Sequence, residues 1–65
     1  MRVLINQVAY ELPDAASLAE AVAAAAATPP FAVAVNLQFV PRTQYQSVAL
    51  QVDDRIEIIS PVTGG

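Results

Sequence analysis

The 65-residue sequence contains no cysteine, no histidine, no lysine and no tryptophan, and only two glycines. Each absence removes a class of chemistry. Without cysteine there are no disulfides and no thiolate metal ligands, so the staples of small secreted domains are missing. Without histidine no side chain has an unperturbed pKa near neutrality for acid–base work. Lacking lysine as well, the chain offers neither a thiolate nor a Schiff-base nucleophile. A carboxylate pair is present at Asp53-Asp54, but two adjacent Asp read first as turn residues. These counts argue against an independent enzyme and supply no ligand set for a bound cofactor or metal.

Positive charge is nearly absent too. Arg2, Arg42 and Arg55 stand against six acidic residues, for a net charge of -3. Nucleic-acid binding draws on clustered cations that release counterions, so no nucleic-acid partner is expected. Two Tyr and two Phe, not interleaved with basic residues, make no stacking platform. Long apolar runs are missing as well. The stretch Ala21 to Ala27, followed by Thr28-Pro29-Pro30, superficially suggests a signal peptide. It falls far short of the roughly 20 apolar residues of a membrane span. It also follows Glu11, Asp14 and Glu20, whereas a signal peptide has a basic start and then at once its apolar run. The reading is an Ala-rich helix in a cytoplasmic protein with no targeting segment and no membrane partner.

What is present is apolar: 55% of the residues are hydrophobic, which excludes disorder. A chain this short forms one domain and buries only about 60% of its unfolded surface, so it builds a single small core. Met1, Val3 and Ile5 alternate with Arg2, and Val8, Tyr10 and Leu12 alternate with Ala9 and Glu11. Joined by Asn6-Gln7, these two runs read as a hairpin, and Pro13 ends the second strand. Ser17-Leu18-Ala19-Glu20 fits a capping box, so a helix is expected from there to Thr28-Pro29-Pro30, with Leu18, Ala21, Val22 and Ala25 as its buried stripe. Beyond the prolines, Phe31, Val33 and Val35 share one face and Ala32 and Ala34 the other, as in an interior strand. Asn36-Leu37-Gln38 turns the chain into a short strand at Phe39-Val40, stopped by Pro41. Arg42 to Tyr45 makes one turn, Val48 to Leu50 is available to pair, Asp53-Asp54 turns, and Arg55 to Ile59 is the last strand. The class is α+β, in the order β-β-α-β-β-β, with one helix covering one face of a mixed sheet.

The two glycines of the chain are Gly64 and Gly65. At average glycine usage a terminal Gly-Gly arises by chance in about one chain in two hundred, so an inert tail is the poorer account of it. Chemistry gives it a better one. A C-terminal carboxylate has a pKa of roughly 3.3 to 3.7 and is ionised at neutral pH. Such an anion resists nucleophiles until a mixed anhydride with AMP supplies a leaving group. To be so activated the terminus has to enter another protein's active site, and glycine, lacking Cβ, lets the backbone approach closely. A folded domain followed by Val62-Thr63-Gly64-Gly65 has the layout of a carrier presenting its own terminus.

The β-β-α-β order with a terminal Gly-Gly resembles the ubiquitin-like β-grasp family. Within it, Ala34-Val35-Asn36-Leu37-Gln38-Phe39-Val40-Pro41-Arg42 resembles the A-[IV]-N-x-x-[FIV]-V-P-R segment of the thiamin-biosynthesis sulfur carrier family, ThiS. Arg55 to Ile59 and Pro61 to Gly65 resemble that family's last strand and tail. The resemblance implies a β-grasp domain over residues 1–61 and a flexible tail over 62–65. It also implies a cycle in which a ThiF-like adenylating enzyme uses ATP to acyl-adenylate Gly65. A cysteine-derived sulfur donor then displaces AMP to leave a thiocarboxylate, which a ThiG-like thiazole synthase accepts. Gly65 is the modified residue, while Gly64, Thr63 and Val62 enter the partner's active site; no side chain of the chain is catalytic. One departure is visible: the family commonly has Gly-Asp before the last strand where this chain has Asp53-Asp54, so a slightly strained turn is expected there.

Other readings stay open from the tail alone. A β-grasp sulfur carrier for molybdopterin, cysteine or tRNA thiolation shares it, and so does a ubiquitin-like protein modifier; an interaction module with an inert tail is a third. Arg42 is expected on the surface, and Phe39 and Tyr45 in core or half-buried packing. The face bearing Ala9, Ala32 and Ala34, left uncovered by a single helix, is expected to form a modest apolar patch where partners dock beside the last strand.

Overall fold

A computed structural model describes residues 1–60. The proposed boundary at 61/62 and the tail Val62–Gly65 lie outside the described residues. Strands β1 (Arg2–Ile5) and β2 (Val8–Glu11) precede helix α1 (Leu18–Ala24), and β3 (Ala32–Val35), β4 (Gln38–Val40) and β5 (Arg55–Ile59) follow it. A single 3-10 turn at Arg42–Gln44 lies between β4 and β5. The five described strands form one sheet in the order β2-β1-β5-β3-β4, with β1 and β5 parallel and every other pair antiparallel. The last of the described strands is therefore the central one in space.

Both hairpins turn on two residues of positive φ. Asn6 and Gln7 have φ of 50° and 69°, and Asn36 and Leu37 have φ of 50° and 71°. Such type I′ turns match the right-handed twist of the flanking strands, and Asn tolerates the left-handed region better than most residues. The second turn is one residue shorter than the sequence suggested, because Gln38 already pairs with Val35.

Period-two alternation sends Val3, Ile5, Val33 and Ile56 to one face, where they are buried with Leu18 and Ala21 of α1, and Ile58 packs at the edge of this core. Val22 and Ala25 complete the expected helical stripe as partly buried residues. Helix entry is fully satisfied: Ser17 and Glu20 close a capping box, and Leu18 and Ala19 donate their backbone N–H to the carbonyls of Val48 (2.9 Å) and Tyr45 (3.0 Å). The loop from Tyr45 to Leu50 thus completes the helix rather than adding a strand. Val48 to Leu50 makes a single bridge, Ser17 to Ala49, and Leu50 donates to Ala16 O at 2.9 Å. Tyr45 is buried as expected and stacks on Phe31, with ring centroids 6.4 Å apart.

The helix ends at Ala24, short of the prolines. Ala26 adopts φ of 54°, and the N–H groups of Ala26 and Ala27 donate to Ala23 O and Val22 O. This is a Schellman termination with alanine where glycine is usual. High helix propensity through the alanine run yields to this local stop, and Ala25, Ala26 and Ala27 lead toward the prolines outside regular helix.

Candidate functional site

The feature with chemical promise is the C-terminus, so the geometry that matters is how β5 is held and what surrounds it. The strand enters from a turn in which Asp53 has φ of 66°, the strained position anticipated at Asp53-Asp54. Asp53 donates its backbone N–H to Arg2 O (2.7 Å) and accepts from the Arg2 guanidinium (3.0 Å). Both side chains are exposed, so the ion pair is worth at most about 1 kcal/mol. Asp54 accepts from the Gln51 backbone N–H (2.8 Å) and from Asn36 Nδ2 (3.0 Å). The adjacent carboxylates are turn ties, spent on local bonds, and not an acid–base pair.

Two asparagines grip β5 at opposite ends. At its start, Asn36 Oδ1 accepts from the Arg55 backbone N–H (3.0 Å), and the Asn36 N–H donates to Arg55 O (2.7 Å). Near its end, Asn6 Oδ1 accepts from the Ile58 N–H (2.8 Å) while Asn6 Nδ2 donates to Ile58 O (3.3 Å). Sequence reading took Asn6 and Asn36 for turn residues alone and missed this second use. The visible signal was the repeated Asn at the first position of each two-residue hairpin turn, at Asn6 and Asn36. Their partners on β5, 19 and 52 residues away, were not legible there.

The face of the sheet opposite α1 is open. Its cross-strand neighbours are Leu4 with Ala9, Ala34 with Phe39 and Glu57, and Ala32 with Ile59. Ala32 and Ala34 are half-buried and lie together on β3, but β1 and β5, the latter with Glu57 on this face, separate them from the exposed Ala9, so the anticipated apolar patch is confined to the β3 side of the sheet. Phe39 corrects the expectation of core or half-buried packing: it is 68% exposed. Register explains it, since Val40 pairs with Val33 and takes the core side, which turns Phe39 outward. Ile59, 56% exposed, adds a second large apolar group two residues before Pro61. A shallow groove lined by Leu4, Asn6, Gln7, Arg55, Ile56 and Glu57 runs between β1 and β5. Its single carboxylate gives no acid–base pair. Arg42 is exposed at the start of the 3-10 turn, and the described residues contain no cluster of three acidic side chains placed to hold a metal ion.

A β-grasp sheet with its last strand central, delivering the chain toward a Gly-Gly end, is the arrangement that comparison with known proteins tests. The ThiS family model matches residues 3–65. The chain belongs to the ThiS family. Among solved structures, it is similar to the crystal structure of a thiamine biosynthesis protein (ThiS) from Geobacter metallireducens, with a TM-score of 0.82 and 16% identity. That match covers 100% of both chains and establishes the shared β-grasp fold. A comparison with curated proteins finds no match. The ThiS family match runs through Val62, Thr63, Gly64 and Gly65, the four residues singled out as the carrier tail. No helix among the described residues is long and apolar enough to cross a membrane.

Proposed function

We propose that the chain is a cytoplasmic sulfur carrier whose Gly65 carboxylate is activated by a ThiF-like adenylating enzyme and whose sulfur passes to a ThiG-like thiazole synthase in thiamin biosynthesis. The observation that carries this reading is the ThiS family match extending through the terminal Gly64-Gly65. A Gly65 carboxylate oxygen attacks the α-phosphorus of ATP, and the bond to pyrophosphate breaks. Sulfur at the sulfide level, derived from cysteine, then attacks the acyl carbon; AMP leaves and a thiocarboxylate remains. The carrier contributes first the electrophilic carbon and later the nucleophilic sulfur, and ATP is consumed by the partner rather than bound here as a cofactor. The side chains near β5 fit a passive role, since the groove beside it has one carboxylate and no histidine, cysteine or lysine exists in the chain.

The test is the mass of the C-terminal fragment after incubation with ATP, cysteine and an extract of the source cells that contains the activating enzyme. Replacement of one oxygen by sulfur, dependent on ATP, is the expected result. A fragment lacking Met1 is used because oxidation of methionine adds nearly the same mass. An unmodified terminus overturns the reading, and a conjugate ladder resistant to hydroxylamine replaces it with a protein modifier.

We propose that partners dock on the open face of the sheet. The open face places Phe39, Ala34, Ala32 and Ile59 side by side, next to the strand that leads to the tail. An arginine at position 34 sits opposite Glu57 and so keeps charge balance on the sheet. Ala34→Arg is therefore expected to fold with a Tm within about 4 °C of the parent. Its sulfur loading is expected to fall tenfold or more, because the patch no longer closes against an apolar partner surface. A folded variant loaded at the parent rate sinks the docking assignment.

A further inference from the structure

The main chain of β5 alternates in direction, and its two neighbours treat it differently. Arg55 bonds toward β3 and its turn residue Asn36, whereas Asp54 O and Ile56 O accept from Leu4 and Asn6 of the β1 side, each at 2.9 Å. Ile58 is the next residue facing that side. By then the β1 chain has turned away: its last paired residue is Ile5, opposite Ile56, and Asn6-Gln7 form the hairpin turn. No backbone group of β1 is left to meet the Ile58 N–H and C=O. The Asn6 carboxamide meets both, accepting at 2.8 Å and donating at 3.3 Å. It therefore acts as a peptide group borrowed from a side chain, lengthening the parallel ladder by one residue. An amide is suited to this because a single planar group carries one acceptor and a donor.

Ile58 lies three residues before Pro61, so this extra rung is among the final ties on the chain before the tail. We infer that Asn6 is a positioning residue for the C-terminus: by pinning the Ile58 peptide groups it sets the direction in which the chain leaves the sheet, and hence how often Gly65 arrives correctly placed in a partner's active site. The inference rests on the carrier reading given above. It assigns Asn6 a role that a turn residue alone does not have, since the turn requires only positive φ, which glycine provides without the carboxamide. Misplacement of a reacting group by about 1 Å is enough to cost on the order of a hundredfold in rate.

Asn6→Gly separates the two roles, because it keeps the turn and removes the rung. The experiment measures ATP–pyrophosphate exchange dependent on the full chain in source-cell extract, with the chain varied in concentration, alongside thermal unfolding and hydrogen exchange of the Ile58 amide. The expected result is a tenfold or greater fall in maximal rate with the apparent KM for the chain within twofold of the parent, because the open face that docks is unchanged. The Ile58 amide is expected to lose protection while β3–β5 amides keep theirs. Asn6→Asp, which retains the acceptor and tolerates the turn, is expected to recover part of the rate; where Asn6→Gly fails to fold, Asn6→Asp with its loss of the Nδ2 donor decides by the same two parameters. A variant that exchanges at the parent maximal rate, or that loses rate only through KM, overturns the positioning role. If the parent itself supports no exchange in extract containing the activating enzyme, the carrier reading fails and this role falls with it.

Discussion

The Leu18→Ala variant is expected to lose about 2–5 kcal/mol of stability, which is most or all of what a domain this size possesses. Leu18 is fully buried and belongs to the small group of large side chains at the centre of the core, with Ile56, Val3 and Val33. It stands at the first position of a seven-residue helix, too short to persist in water by propensity alone. What holds α1 in place is the apolar stripe it presents to the sheet together with the bonds at its entry. Truncating Leu18 leaves a cavity in the core where α1 joins the Tyr45–Leu50 loop, to which the Leu18 N–H is bonded at Val48 O. Collapse into the gap would drag that bond and the capping box with it. Thermal unfolding followed by circular dichroism is expected to show Tm lowered by about 10 °C or more, or no cooperative transition. A shift below about 4 °C would mean that the core does not centre on Leu18.

The local signals in this chain are strong, and they fixed the elements. Strand alternation, the Ser17–Glu20 box and the Asn6-Gln7 turn all act between residues a few positions apart, so they are written in the sequence directly. The places where expectation and structure part involve choices made over distance. Phe39 is apolar enough for a core, yet the pairing of Val33 with Val40 settles which neighbour turns inward. Val48 to Leu50 has strand-like composition, but the unsatisfied amides of the α1 entry claim its carbonyl first. The helix ends at Ala24, with Ala26 in the left-handed region just beyond it, although alanine is the best helix former, and no composition rule marks that position.

The candidate site was legible for a different reason. A carboxylate behind two glycines is chemistry that does not depend on tertiary structure, so Gly65 is singled out as the candidate by residue types together with the family resemblance. What the linear order concealed is the support behind it. The parallel pairing of Leu4 and Ile5 with Arg55 and Ile56 spans fifty residues of sequence, and it makes the final strand the centre of the sheet. Only in that arrangement do Asn6 and Asn36 reach β5 from either side. The exposed pair Phe39 and Ile59 likewise emerges on one face only once β3 is inserted between β4 and β5.

Removing Gly65 is expected to abolish sulfur loading while leaving stability untouched. The folded core is assembled from residues up to Ile58, and the described pairing of β5 ends at Ile59 with Ala32, so a change at the final residue removes no core contact among those described. A truncated chain still ends in a carboxylate, now on Gly64, with the same ionisation and the same intrinsic reactivity. The difference is reach. One residue spans about 3.3–3.6 Å of extended chain, so the carboxylate stops that far short of the position held for attack on ATP. Because a displacement of about 1 Å already costs on the order of a hundredfold, a gap several times larger is expected to bring adenylation below detection. Adding a residue is the matching control: a chain ending Gly64-Gly65-Ala carries its carboxylate too far, and it also brings a Cβ into a channel that glycine suits. Both variants are expected to unfold at the parent Tm within about 1 °C, well inside the shift of a neutral surface change. Mass spectrometry of the C-terminal fragment in extract reads the outcome. Loss of the thiocarboxylate from both variants, with the parent loaded alongside, ties function to the position of one carboxylate. Loading of the truncated chain at the parent rate would show that the partner accepts any C-terminal glycine and does not measure the length of the tail.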